Sequence, residues 1–168
     1  MNKSTVLLVL LTIIIAGCGK KSDKDYYETA EKNMKENKVI EAVKSYEQVI
    51  SEFPDSKLSI EATMKLATIY QNKMIDSLSG MQSYKKAVVL FKQVYNKYPN
   101  SEQAPTALFM AGFVEANNLY NFSEATKTYQ LFLDKYPTHQ LALSAKEELN
   151  NMGRSPEDIL SGKNKKGS

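Results

Sequence analysis

The chain has 168 residues, 24% of them charged and 42% apolar, which is ordinary globular composition and excludes a low-complexity or disordered chain. A formal charge of +3 is too small to argue for nucleic acid, and much of the excess lysine lies at the edges, in Lys20-Lys21 and in Lys163, Lys165 and Lys166. One Cys leaves no intrachain disulfide and no Cys-ligated metal site, while about 150 residues beyond the N-terminal apolar run suffice for one domain with a core.

At the N-terminus, Lys3 is a positive n-region and Val6 to Ala16 is an almost unbroken apolar run of eleven residues. A membrane-crossing helix needs about 20 residues, so the run has the length of a signal h-region instead. It ends in Ile15-Ala16-Gly17-Cys18, which resembles the lipobox of bacterial lipoproteins. The resemblance implies that residues 1–17 are a signal peptide cut before Cys18 and that the Cys18 thiol is diacylated. Residues 18–24 are then a lipidated, flexible tether, with Gly19 to Asp25 polar throughout. Each buried acyl methylene contributes about 0.8 kcal/mol, so two or three chains hold a protein to a membrane durably. Gly19-Lys20-Lys21-Ser22 lacks the earlier glycine and preceding strand of a phosphate loop and belongs to the tether.

A short first helix is expected around Tyr26 to Lys35. After it the chain repeats itself. Three segments align without gaps: Glu41-Ala42-Val43-Lys44-Ser45-Tyr46 running to Phe53-Pro54, Lys86-Ala87-Val88-Val89-Leu90-Phe91 running to Tyr98-Pro99, and Glu124-Ala125-Thr126-Lys127-Thr128-Tyr129 running to Tyr136-Pro137. In each, Ala is followed by an aromatic four residues on, an apolar residue seven on (Val49, Val94, Phe132), an aromatic eleven on and Pro twelve on. At 100° per residue these offsets fall within an arc of about 60°, so each segment is an amphipathic helix with one narrow apolar stripe. Ala allows a close helix crossing, the aromatics fill the space between layers, and Pro stops the helix. Asp55-Ser56, Asn100-Ser101 and Thr138 are the expected N-caps of the helices that follow.

Those following helices carry a pattern of their own. Ala62, Leu66, Ala67 and Ile69 match Ala107, Ala111, Gly112 and Val114 at a constant offset of 45. The Pro-to-Pro spacings are 45 and 38, and the seven extra residues lie in the stretch 71–81. Either helices lengthen there or a loop protrudes. Ser79-Gly80 favours a turn, and Met74, Ile75, Leu78 and Met81 are too apolar for a bare loop. The expectation is a loop or added helical turn with apolar residues available to a partner. A last helix, about His139 to Met152, should end in a left-handed cap at Gly153. Residues 153–168 are expected to hold a short capping helix, from Ser155-Pro156-Glu157-Asp158 to Leu160, and a disordered basic tail.

The unit is helix, turn, helix, Pro, and residues 25–152 resemble the tetratricopeptide repeat. The second-helix signature is clear three times, while the first-helix signature comes close only in Leu66-Ala67-Thr68-Ile69-Tyr70 and the chain has no Trp. The long units ending in an aromatic-Pro-Asp/Asn-Ser phrase are similar to the BamD/YbgF-type tetratricopeptide proteins of the bacterial envelope. This resemblance implies an all-α fold, a short right-handed α-solenoid of about three tetratricopeptide-like helix-turn-helix units with one concave face. It also places the groove on the first helix of each unit: Tyr27, Glu31 and Lys35, then Met64, Thr68, Gln71 and Asn72, then Phe109, Phe113, Ala116 and Asn117. Phe109 and Phe113 are either binding anchors or packing residues between helices.

Catalytic chemistry is absent from the pattern. The single His, His139, follows a helix-ending Pro and reads as a solvent-facing first-turn residue. Glu147-Glu148 and Glu157-Asp158 are adjacent acids, which do not share a helix face and make no acid–base pair. The tyrosines and phenylalanines mostly occupy packing positions of the repeat, which leaves no case for base stacking. The expected function is a non-enzymatic protein-binding scaffold of the cell envelope, in outer-membrane protein assembly or envelope organisation. It needs no cofactor beyond the lipid on Cys18. Its expected partners are other envelope proteins or peptides in the concave groove, and the membrane through the anchor, with no nucleic acid. The outer membrane, facing the periplasm, is the expected location, since Gly19 replaces the Asp that favours inner-membrane retention. The alternatives are a pilotin or accessory lipoprotein of a secretion or surface complex, and an envelope hydrolase.

Overall fold

A computed structural model describes residues 20–154 together with Glu157 and Asp158. The signal segment, Cys18, most of the expected capping helix and the basic tail lie outside the described residues. Seven helices make up the rest: α1 (Asp23–Lys35), α2 (Val39–Glu52), α3 (Lys57–Gln71), α4 (Gly80–Lys97), α5 (Gln103–Asn117), α6 (Phe122–Lys135) and α7 (Ala142–Asn151). Each packs on the next in chain order, and α1 also touches α3, as α3 touches α5. Among the described residues there is no strand, and the arrangement is the expected all-α solenoid of helix pairs.

The repeated second helix behaves as its spacing dictates. Ala42, Ala87 and Ala125 are fully buried, and so are Tyr46, Phe91, Tyr129, Val49, Val94 and Phe132. The aromatic before each Pro closes its helix in the same conformation: φ/ψ is −130°/56° at Phe53, −128°/56° at Tyr98 and −132°/54° at Tyr136. Clash with the proline ring drives that residue out of helical geometry. Its own N–H still donates back to Val49, Val94 or Phe132, so the last turn stays satisfied. Tyr98 also bridges layers, its hydroxyl donating to the Pro54 carbonyl at 2.7 Å and lying 3.1 Å from the Ser59 hydroxyl.

Several expected boundaries move. Residues 22–24, expected in the tether, belong to α1 and its cap Ser22. The Asp25 N–H donates to the Ser22 hydroxyl at 3.2 Å while the Ser22 N–H donates to the Asp25 carboxylate at 2.9 Å. That reciprocal pair, with Asp23 and Asp25 in the first turn, starts the helix before Tyr26. Ser56 caps α3 as expected, its hydroxyl accepting from the Leu58 N–H at 3.1 Å. Ser101 does not cap α5. The helix enters through a tight turn in which Ala104 N–H reaches the Ser101 carbonyl at 3.1 Å, and Glu102 stands at the N-cap without a side-chain bond. Thr138 caps nothing and α7 begins only at Ala142, because residues 137–141 form turns. His139 shapes that entry: its Nδ1 accepts from the Leu141 N–H at 3.2 Å, and its ring packs edge-on against Phe132, with centroids 5.8 Å apart. It is half-buried in its own fold, not solvent-facing. Gly153 takes the expected left-handed conformation, φ 72°, after α7.

The seven extra residues divide between a helix and a loop. α4 has 18 residues where α2 and α6 have 14, so one added turn begins at Gly80, capped by a reciprocal Ser79–Gln82 pair. The remainder lengthens the α3–α4 connection, where Ile75 is buried and Leu78 packs against the same core. Those two side chains are claimed by their own fold. Met74 and Met81 stay exposed.

α5 lacks a clear apolar stripe because it is covered on two sides. Ala107, Ala111 and Val114 face the core shared with α1–α4, whereas Leu108, Phe109 and Ala116 face a second core with α6 and α7. Gly112 is the point of closest approach. A β-carbon there would lie 3.0–3.2 Å from the ring of the buried Tyr129.

Candidate functional site

The first helices of the three pairs, α1, α3 and α5, share one open face. Glu61, Met64, Lys65 and Thr68 recur at helical spacing on α3. With Tyr27 of α1 and Gln103 of α5 they line a hollow of about 250 Å³. Tyr27 stands edge-on to Tyr46, centroids 5.7 Å apart, which fixes its ring at the wall. The apolar Met64 and the Tyr27 ring are thus bordered by one carboxylate, one ammonium, a hydroxyl and an amide. Such a surface can take an apolar side chain and bond the polar backbone around it.

Of the expected groove residues, the hollow gathers Tyr27, Met64 and Thr68. Glu61, Lys65 and Gln103 were missed; the first two sit on the same α3 stripe and could have been read from it. Glu31 is next to the hollow but is engaged internally: it accepts from the Tyr46 hydroxyl and pairs with Lys65 at 3.0 Å. Lys35 is exposed further along α1, Gln71 closes α3, and Asn72 is its C-cap. Phe109 is not a groove residue. It is 8% exposed, packed at 5.5 Å from Tyr129 and 5.8 Å from Phe132, because that side of α5 faces the second core. Ala116 is buried there too, and Phe113 is half-buried against the same cluster. Asn117 is exposed but ties α5 to α7, donating to the Glu148 carboxylate at 3.2 Å.

Electrostatics at the hollow follow from these pairs. Burial disfavours the Glu31 carboxylate, yet the Tyr46 hydroxyl and the Lys65 ammonium outweigh it and hold its pKa below the ordinary 4.5. Burial pushes the Tyr27 and Tyr46 phenols upward, and the Glu31 charge adds to both. Glu31 therefore contributes stability that is present above pH 4.5 and is lost as pH falls through its lower folded value. Glu31→Gln should lower the urea midpoint near neutral pH and lose less than the parent as the pH is taken from neutrality to about 3.5, the remaining loss coming from other carboxylates such as Glu36 and Glu124. An equal acid-induced loss in parent and variant would show that Glu31 carries none of it.

Among the described residues no group of three or more His, Cys, Asp or Glu side chains is placed to hold a metal ion. A search of curated proteins finds no match for the chain. The family model for the tetratricopeptide repeat matches residues 28–56, 61–101 and 106–139. These stretches follow the three helix pairs α1–α2, α3–α4 and α5–α6, each running past its terminal proline or to the turn beside it. The chain belongs to the tetratricopeptide repeat family.

Proposed function

We propose that the protein is a membrane-anchored, non-enzymatic scaffold of the bacterial cell envelope. In this reading it is held by an acylated Cys18 in the outer membrane, faces the periplasm, and serves outer-membrane protein assembly or envelope organisation in the manner of the BamD/YbgF-type proteins. Repeats of this family are interaction modules for proteins and peptides. The observation that carries the reading is the open face of α1, α3 and α5, where Tyr27, Met64 and Thr68 meet around one hollow with mixed apolar and hydrogen-bonding character. The anchor is supported by the sequence alone, by the apolar run ending in Ile15-Ala16-Gly17-Cys18. Among the described residues no helix is long and apolar enough to cross a membrane.

Anchor and face are tested separately. Cys18→Ala should abolish incorporation of a labelled fatty acid and leave an uncleaved or soluble form. Normal processing and unchanged membrane partitioning would remove the anchor. A photoreactive residue at position 64 or 68, in intact cells, should give discrete protein adducts. The same probe at Val89, which is 64% exposed and lines a separate hollow between α2, α3 and α4, should not. Adducts from Val89 alone would move binding to that hollow.

A further inference from the structure

A second hollow, of about 490 Å³, opens at the C-terminal end of the stack between the ends of α5 and α7 and the turn joining α5 to α6. Tyr120 and Phe122 form an aromatic lip, edge to face with centroids 6.4 Å apart, and are 72% and 40% exposed. Glu147, Glu148 and Asn151 of α7 stand across from them. Among the described residues neither Glu147 nor Glu148 belongs to an ion pair; the Glu148 carboxylate accepts the Asn117 amide noted above. Tyr120 is held at φ 52°, in the left-handed region that a bulky side chain rarely adopts. Asn37 and Lys73 take the same conformation after α1 and α3, so this is the turn of the repeat, and in the last repeat it presents a ring that the core does not cover. Two open rings facing two carboxylates have the chemistry that takes an ammonium.

The chain passes the described residues at this lip. Arg154, itself a lining residue, donates from Nη2 to the Asp158 carbonyl at 2.7 Å. Residues 159–168 follow, and they carry Lys163, Lys165 and Lys166 and no acid. Extended, the five residues from Asp158 to Lys163 span at most about 18 Å, enough to turn back over the hollow. We propose that this basic segment docks in cis, its lysines between the Tyr120–Phe122 rings and the Glu147 and Glu148 carboxylates. The tail is then a built-in competitor, which a basic segment of a partner must displace to enter this end of the groove. The inference stands on the geometry of α5 and α7 and does not depend on the envelope reading.

The test uses the whole chain with a nitroxide at Lys166→Cys, in a Cys18→Ser background so that one thiol is labelled, and reads amide broadening by NMR. Broadening should concentrate at Tyr120, Phe122 and Glu148 and spare Tyr27 and Thr68. It should vanish in 1 M salt, where the screening length is about 3 Å, and in Glu147→Gln/Glu148→Gln. Tyr120→Gly should abolish it as well while keeping or raising the melting temperature, because glycine relieves the positive φ; loss of docking is then separated from loss of fold. Broadening spread evenly, centred elsewhere, or unchanged by these variants would overturn the proposal. So would broadening passed from a labelled chain to an isotope-labelled chain without nitroxide, which would make a second copy the occupant.

Discussion

Phe132→Ala should destabilise the protein by about 3–5 kcal/mol, the usual cost of removing a fully buried aromatic ring. Phe132 is 0% exposed and meets Phe109 at 5.8 Å, Tyr136 at 5.6 Å and His139 at 5.8 Å, joining α5, α6 and the entry to α7. The equivalent positions in the other two repeats are valines, Val49 and Val94. Among the described residues the second core closes on Phe109, His139 and α7, and the larger ring fills the space between them. A thermal melt should fall by something of the order of 10 °C for a domain of this size. Phe132→Val, the residue of the other repeats, should lose clearly less. If both variants melted with the parent, the second core would not depend on this ring.

The part of the fold legible in the sequence is the part governed by local spacing. The offsets from Ala42, Ala87 and Ala125 put a small residue, an aromatic and an apolar residue on one face, and the proline twelve residues after each Ala ends its helix at nearly the same backbone angles. Helix entries were harder, since Ser22 and Ser56 act as caps but Ser101 and Thr138, with the same chemistry, do not. A side-chain cap needs an extended residue: Ser22 and Ser56 are extended at their caps, whereas Glu102, the residue at the cap of α5, is already helical at φ −60° and ψ −23°. On α5 the sequence marks one buried face, through Ala107, Ala111 and Val114, but not the second. Its buried residues run from Ala104 to Ala116 on nearly every side, so Phe109 in the core and Phe113 at its edge look alike until the position of α6 is known.

The same limit divides the candidate site. Tyr27, Met64 and Thr68 follow from which helix of each pair lies inward, and Glu61 and Lys65 from the same stripe. Gln103 depends on how far α5 is rotated past α3, a property of superhelical packing that no local window contains. Exposure of Tyr120 and Phe122 is equally non-local, because the short α7 leaves their turn uncovered.

Lys92→Met should cost about 3 kcal/mol, although Lys92 looks like an ordinary surface lysine in the sequence. The reason is Glu115, which is 4% exposed in the last turn of α5. Its carboxylate pairs with the Lys92 ammonium of α4 at 2.6 Å and accepts from the Thr128 hydroxyl of α6 at 2.6 Å, while its carbonyl accepts from the Asn121 N–H at 2.8 Å. One acid thus locks three successive helices. Removing the lysine leaves a buried charge with a single neutral donor, and that loss exceeds the worth of the pair itself. Glu115→Met should be milder, about 1–2 kcal/mol, since the Lys92 side chain is 34% exposed and its ammonium can return to water, leaving the Thr128 hydroxyl to be satisfied. The double variant Lys92→Met/Glu115→Met should then be about as stable as Glu115→Met alone, a coupling of about 3 kcal/mol measured by urea unfolding. Strict additivity of the two substitutions would show that the buried carboxylate is not held by Lys92.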